Sequence, residues 1–559
     1  MMRCVPRRVT LFLVLVTAVL SALASATMPT DSIAGWMAHP GRVASLGGIP
    51  STTIEGARAL RLALAVGPLV LLTIALILAR IERRAALVRS DATQGSRATV
   101  LTLSLLVGIA VILRSFKLSD SLWYDEIAGL LGYSVHGPGV IVGNYFSQAN
   151  QVFSQLAIWL STTLFGVNEL TVRLPAFLAG VAAVPAAWAL GREARGDGTG
   201  LFAAAAIALM PVAVLASCDA RSYSFVILFA TLATWLLLRS RRVLTLTSWA
   251  AFAIVVALMV WSHLASVCVA LGYGLFLASD LLRGNDRRGA LAGLVTLVGA
   301  ATLTAMVYAP ILPDMFALRE HFRGHDAGQP TLLGPEGWHA LLALGGSWTW
   351  WATIPGAALA IIGLAPTLRE QRLREAFVLA ALGAPIAVLL AWLGDSWLYA
   401  RFLLFLVPAT ALLIAAGLAT IARFGRLPLA VSVATLALAS ATDVLRLPPR
   451  QPLREAVERA AAIRATTHDQ GPLGMIGLND QVQLYYTQPL KLPVVDFGDR
   501  GAGLAKLLPS ARPRMIVMLY PHAVSPERRE FLRANGYHVT ERLEGWIDWG
   551  HGAIEIWSR

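Results

Sequence analysis

The stretch TVLTLSLLVGIAVILRSFKLSDSLWYDE (residues 99–126) joins an apolar run of bilayer length to two adjacent carboxylates, Asp125 and Glu126. An ionised carboxylate in lipid is costly. The two acids therefore face water or take part in chemistry, and the side on which they emerge decides how the rest of the chain is read.

The composition supports the membrane reading. Of 559 residues, 56% are hydrophobic and 14% charged. Apolar runs of about 17–22 residues recur along most of the length, as a bilayer requires. The net charge of +13 sits largely in short loops between those runs, where it reads as a topology signal and not as a nucleic-acid surface. Cys4, Cys218 and Cys268 are too widely spaced for a disulfide framework or a zinc site.

Basic residues mark cytoplasmic ends. Arg7 and Arg8 put the start of the chain inside. The segment VTLFLVLVTAVLSA (residues 9–22), followed by Ala24-Ser25-Ala26, reads as a first transmembrane helix or a cleavable signal, the uncleaved helix being preferred. Either puts the following residues outside. A span near Ala59 to Leu78 returns to Arg80, Arg83 and Arg84, and the span from Thr99 goes out again. QVFSQLAIWLSTTLFGV (residues 151–167) is apolar, but Gln155, Ser161, Thr162 and Thr163 suit a helix lying at the outer interface. That choice returns Arg192 and Arg195 to the inside. Carried onward, the rule predicts about thirteen spans, the last ending near Ala441. From about Asp443 the pattern changes: an amphipathic helix, then LGMIGL, LPVVDF and RMIVMLY as short buried strands. The expected fold is an all-α polytopic membrane domain with juxtamembrane helices and a small C-terminal extracytoplasmic α/β domain. The expected divisions are 1–95 (signal-anchor and extra hairpin), 96–442 (transmembrane catalytic domain) and 443–559. No G-x-G-x-x-G or P-loop supports nucleotide binding.

This topology brings polar residues from separate segments to one outer rim. They are Asp125 and Glu126; Asp219, Arg221 and Tyr223 in a hairpin tip; His263 at the next tip; and Tyr399 and Arg401 at the start of an inward span. Taken alone, Asp219 and Arg221 could simply pair, and His263 could be an ordinary helix-end residue. Together, a carboxylate able to take a proton from a hydroxyl and guanidinium groups able to hold a phosphate suit group transfer from a lipid-phosphate donor. In DMFALREHFRGHDAG (residues 314–328), His321, His325 and Asp326 offer a divalent-ion option, and Arg319 and Arg323 a headgroup or phosphate contact.

The ordered set resembles the GT-C fold glycosyltransferases, specifically the bacterial members related to dolichyl-phosphate-mannose–protein mannosyltransferases and to aminoarabinose transferases. SLWYDE is similar to the family's W-x-D-E motif. LFGVNELTVRLP, SCDARSYSF, WSHLAS and YARFLLFLVP follow in family order, with Asp219, Ser262 and Phe402 at positions where glutamate, threonine and tyrosine are usual. Asn150-Gln151 stands where the family carries a histidine-containing pair, and two extra spans precede the usual core. The resemblance implies transfer of a sugar from a polyprenyl-phosphate donor to an acceptor hydroxyl of a glycan, lipid or protein, with inversion. Asp125 would be the general base, with Glu126 and Asp219 positioning the acceptor or a cation. Arg221 and Arg401 would grip the phosphate, assisted by Tyr223, His263 and Tyr399. Metal use differs among members, so no cofactor is assigned, a divalent cation remaining an option. The expected location is the cytoplasmic (inner) membrane, with the site and C-terminal domain on the periplasmic or extracellular side. A multi-pass transporter or flippase of a lipid-linked or anionic substrate is the competing reading.

Overall fold

The computed structural model describes residues 7–83, 96–318, 350–394, 398–477, 485–547 and 552–559. The protein is a multi-pass membrane protein. Among the described residues eleven helices are long and apolar enough to cross a bilayer, or twelve if the bent pair Asp197–Leu209 and Pro211–Ser217 is one span. The sequence-based count was about thirteen. The remaining segment is the helix Leu246–Ser262, whose 17 residues lie at the short end of the range for a span. Helix Val152–Phe165 has 14 residues, about 21 Å, too short to cross.

The bent pair shows how the bundle shapes its site. Its two halves meet at 60°. Pro211 has no N–H to offer the carbonyl of Ile207, so the helix breaks there and frees acceptors. Buried Arg114 takes them: Nη2 donates to Ile207 O at 3.0 Å and Nη1 to Ala208 O at 3.2 Å. Its Nε reaches Ser217 Oγ at 3.0 Å, fixing the end of the second half. Arg114→Met leaves these carbonyls buried without donors, at about 1–3 kcal/mol each. The expected result is a lower melting temperature of the purified protein with the chain still inserted, read by thermal scanning in detergent.

Among the described residues the C-terminal region forms a sheet of five strands, β1 (Leu473–Gly477), β2 (Val494–Asp499), β3 (Met515–Leu519), β4 (His538–Leu543) and β5 (Ile554–Ser558), in the order β2-β1-β3-β5-β4. β1 runs parallel to β2 and β3, and β5 pairs antiparallel with β3 and β4. β1 and β3 are buried throughout, which explains their unbroken apolar sequences. Leu453, Ala456, Val457 and Ala460, spaced to share one helix face, pack in the same core as these strands. That core also contains Leu122, Ile127 and Leu130 from the first large loop, and Ala220 from the hairpin tip. The sheet domain and the site loops of the bundle thus share one apolar core.

Candidate active site

Helix Tyr124–Gly132 carries both carboxylates. Consecutive helical residues point about 100° apart, so the two acids serve different faces. Asp125, Ala128, Leu131 and Gly132 line a cavity of about 960 Å³, while Ile127 and Leu130 face the shared core. Glu126 points away from the cavity and is buried. Its carboxylate receives a bidentate fork from Arg173, Nε to Oε1 at 2.8 Å and Nη2 to Oε2 at 2.7 Å. It also accepts the backbone N–H groups of Trp123 (3.1 Å) and Ala220 (2.7 Å). Arg173 in turn donates to the carbonyls of Leu118, Asp120 and Ser121. Sequence reasoning missed Arg173; the RLP of the resembling stretch was its one trace.

Asp219 is likewise absent from the cavity wall. It is fully buried in the turn between helices Pro211–Ser217 and Tyr223–Val243. Its Oδ1 accepts the Trp123 indole N–H at 3.1 Å, and its Oδ2 lies 2.9 Å from Arg450 Nη1 of the C-terminal region. Burial pushes its carboxyl up, opposed by Arg450. Arg450 stacks between Trp123 and Trp546, at 5.3 and 4.5 Å from the ring centroids. The expectation that Glu126 and Asp219 meet the acceptor or a cation is thus not matched by their geometry. Both carboxylates are spent on scaffold partners.

The other six expected residues, Asp125, Arg221, Tyr223, His263, Tyr399 and Arg401, all line the cavity. Arg221 Nη2 lies 3.9 Å from Asp125 Oδ2. Its guanidinium is held by the carbonyls of Ala149 (3.0 Å) and Gln148 (3.3 Å) in the loop 144–151, while its buried Nε has no partner among the described residues. Gln151 Oε1 accepts the Ser222 N–H at 2.6 Å, tying the same loop to the hairpin turn. Arg401 lies 4.3 Å from the Tyr399 ring and 5.8 Å from Trp123. His263 accepts the Ala265 N–H through Nδ1 at 3.3 Å and packs against Phe402. Burial lowers its pKa to about 3, with Arg221 and Arg401 adding to the shift, so it is neutral at physiological pH.

The cavity is polar at this end. Elsewhere Leu312, Met315, Phe316, Ala387, Leu390 and Leu398 line it, and Phe316 and Leu390 remain exposed at its margin. An alkyl chain and an anionic head thus find complementary surfaces in one space. Among the described residues no three His, Cys, Asp or Glu side chains converge as metal ligands. Arg319, His321, Arg323, His325 and Asp326 lie outside the described residues, so no ligand set is assigned.

Residues 152–313 match the family model described as dolichyl-phosphate-mannose-protein mannosyltransferase. No curated protein matches. ArnT from Cupriavidus metallidurans, in the apo state, is similar in structure at TM-score 0.51 and 16% identity, covering 83% of this chain and 98% of that one. The chain has the GT-C fold. The archaeal oligosaccharyltransferase AglB from Archaeoglobus fulgidus, in complex with an inhibitory peptide and a dolichol-phosphate, matches at TM-score 0.50 and 12% identity, over 76% of this chain and 69% of that one. The segment that matches the family model contributes Arg221, Tyr223 and His263 to the cavity. Asp125, Tyr399 and Arg401 come from either side of it.

Proposed function

We propose that this protein is a membrane glycosyltransferase. It moves a sugar from a polyprenyl-phosphate donor to an acceptor hydroxyl of a glycan, lipid or protein at the outer face of the cytoplasmic membrane. The observation that carries this reading is the convergence of Asp125, Arg221 and Arg401, from three separate chain segments, on one cavity with both a polar and an apolar side. The family-model match and the GT-C fold support it. A dolichol-phosphate in a solved protein of similar fold fits a carrier of this class.

In the proposed reaction the polyprenyl tail lies along the apolar side and the phosphodiester meets Arg221 and Arg401. Asp125 takes the proton of the acceptor hydroxyl as its oxygen bonds to the anomeric carbon. The bond from that carbon to the phosphate oxygen breaks, and the polyprenyl phosphate leaves with the electron pair. One displacement inverts the anomeric centre. Two guanidinium groups favour the monoester product, which carries more charge than the diester, so they stabilise the charge as it develops. Neutral His263 and the tyrosines 223 and 399 line the donor end; Glu126 and Asp219 position the helix and turn that present Asp125 and Arg221.

The outward orientation rests on charge. Ion pairs join Arg195 to Glu370, Arg241 to Asp280 and Asp286, and Arg192 to Asp197. These loops are the arginine-rich ones, which supports a cytoplasmic position for their end of the bundle, and the cavity residues come from the opposite helix ends. A strain lacking the protein should accumulate a polyprenyl-phosphate sugar and lose one sugar from a surface glycan, lipid or protein, as read by mass spectrometry. Unchanged lipid-linked sugars and glycans, with altered uptake of a lipid-linked or anionic solute, would favour the transporter reading.

A further inference from the structure

A polar network outside the proposed reaction joins the N-terminal segment to the cavity. Arg42, on helix Pro40–Leu46, forks onto Asp314 of helix Leu312–Ala317, with Nη1 to Oδ2 at 2.7 Å and Nη2 to Oδ1 at 3.1 Å. Asp314 is 4% exposed. Thr52 Oγ1 donates to its Oδ1 at 2.5 Å and Tyr145 N to its Oδ2 at 2.8 Å, so each oxygen accepts two bonds. Arg42 Nη1 also donates to Asn144 Oδ1 at 2.9 Å, and Asn144 Nδ2 to Met37 O at 2.6 Å. Asn144 and Tyr145 open the loop 144–151, whose Gln148 and Ala149 carbonyls hold Arg221. The backbones meet closely here: a Cβ on Gly139 would stand 2.1 Å from Trp36 O, and one on Gly56 2.1 Å from Pro310 O.

We propose that the N-terminal segment is a positioning element of the active site. The Arg42–Asp314 pair pins the loop 144–151, and through that loop it sets where the Arg221 guanidinium meets the donor phosphate. The role of Arg221 rests on the proposed function; the pinning of the loop does not. Removing one partner alone would strand a buried charge and risk misfolding, whereas replacing both removes the stranded charge and leaves only the neutral Thr52, Tyr145 N–H and Asn144 groups to find other partners. The test therefore compares the full-length protein in lipid nanodiscs with the double variant Arg42→Met/Asp314→Leu and with Asp314→Asn.

Hydrogen exchange is measured first, without ligand. The proposal expects the double variant to remain folded, with a lowered melting temperature, while exchange at 145–151 and 218–223 rises at least tenfold. A rise confined to 30–56 and 311–318 would overturn it. Undecaprenyl phosphate binding is measured second, and the double variant should bind at least tenfold more weakly. Equal binding by parent and variant would overturn the positioning role. Failure of the parent to bind counts against the proposed function, and the exchange pattern then decides the pinning of the loop.

Discussion

Asp125→Asn is expected to lower sugar transfer by about 10²–10⁴-fold, the usual contribution of a positioned general base, with expression and elution profile unchanged. The geometry separates these two outcomes. The Asp125 side chain is 27% exposed and its ion-pair neighbour is Arg221 at 3.9 Å, a loose contact worth little to the fold. Asparagine keeps the shape and can still orient a hydroxyl, but it does not take the proton. Transfer rates in membranes supplied with polyprenyl-phosphate sugars, normalised to folded protein, give the comparison. Wild-type rates in this variant would remove the base from Asp125.

Arg173→Met is expected to act the other way, on the fold before the chemistry. It leaves the Glu126 carboxylate buried with two backbone donors in place of a full guanidinium fork. Breaking a buried pair from one side costs about 3–5 kcal/mol. The loop carbonyls of Leu118, Asp120 and Ser121 lose their donor in the same step. The prediction is loss of most folded protein in fluorescence-detected size exclusion, with Glu126→Gln milder because it removes the charge and keeps the shape. An Arg173→Met protein as stable as the parent would show that this pair does not hold the site loop.

These two variants mark how far the sequence could be read. Six of the eight singled-out residues line the cavity because each stands at or beside a helix end where a polar side chain has an identifiable exit from lipid. The three strand patterns LGMIGL, LPVVDF and RMIVMLY correspond to β1, β2 and β3 for a similar reason: unbroken apolar runs between turn signals leave few alternatives. Glu126 and Asp219 are different. A helix rotates neighbouring residues apart, but the sequence does not say which of two adjacent acids faces the water-filled side. That depends on Arg173, 47 positions away, and on the core that Ile127 and Leu130 enter. Arg114 and Arg450 were illegible for the same reason. Their roles depend on the carbonyls that Pro211 frees in the bent pair and on Asp219 meeting the C-terminal region. The remaining expected span, Leu246–Ser262, is a helix of 17 residues, at the short end of the spanning range.

The binding of undecaprenyl phosphate to the full-length protein in lipid nanodiscs, with and without the two cavity arginines, bears most directly on the whole reading. Hydrogen bonds to charged groups contribute about 1.5–3 kcal/mol each, so Arg221→Ala/Arg401→Ala should weaken binding by at least about 100-fold. The parent should bind saturably, and Asp125→Asn should bind about as well as the parent. A parent that fails to bind, or a double variant that binds equally, would contradict the assignment of this cavity to a polyprenyl-phosphate donor.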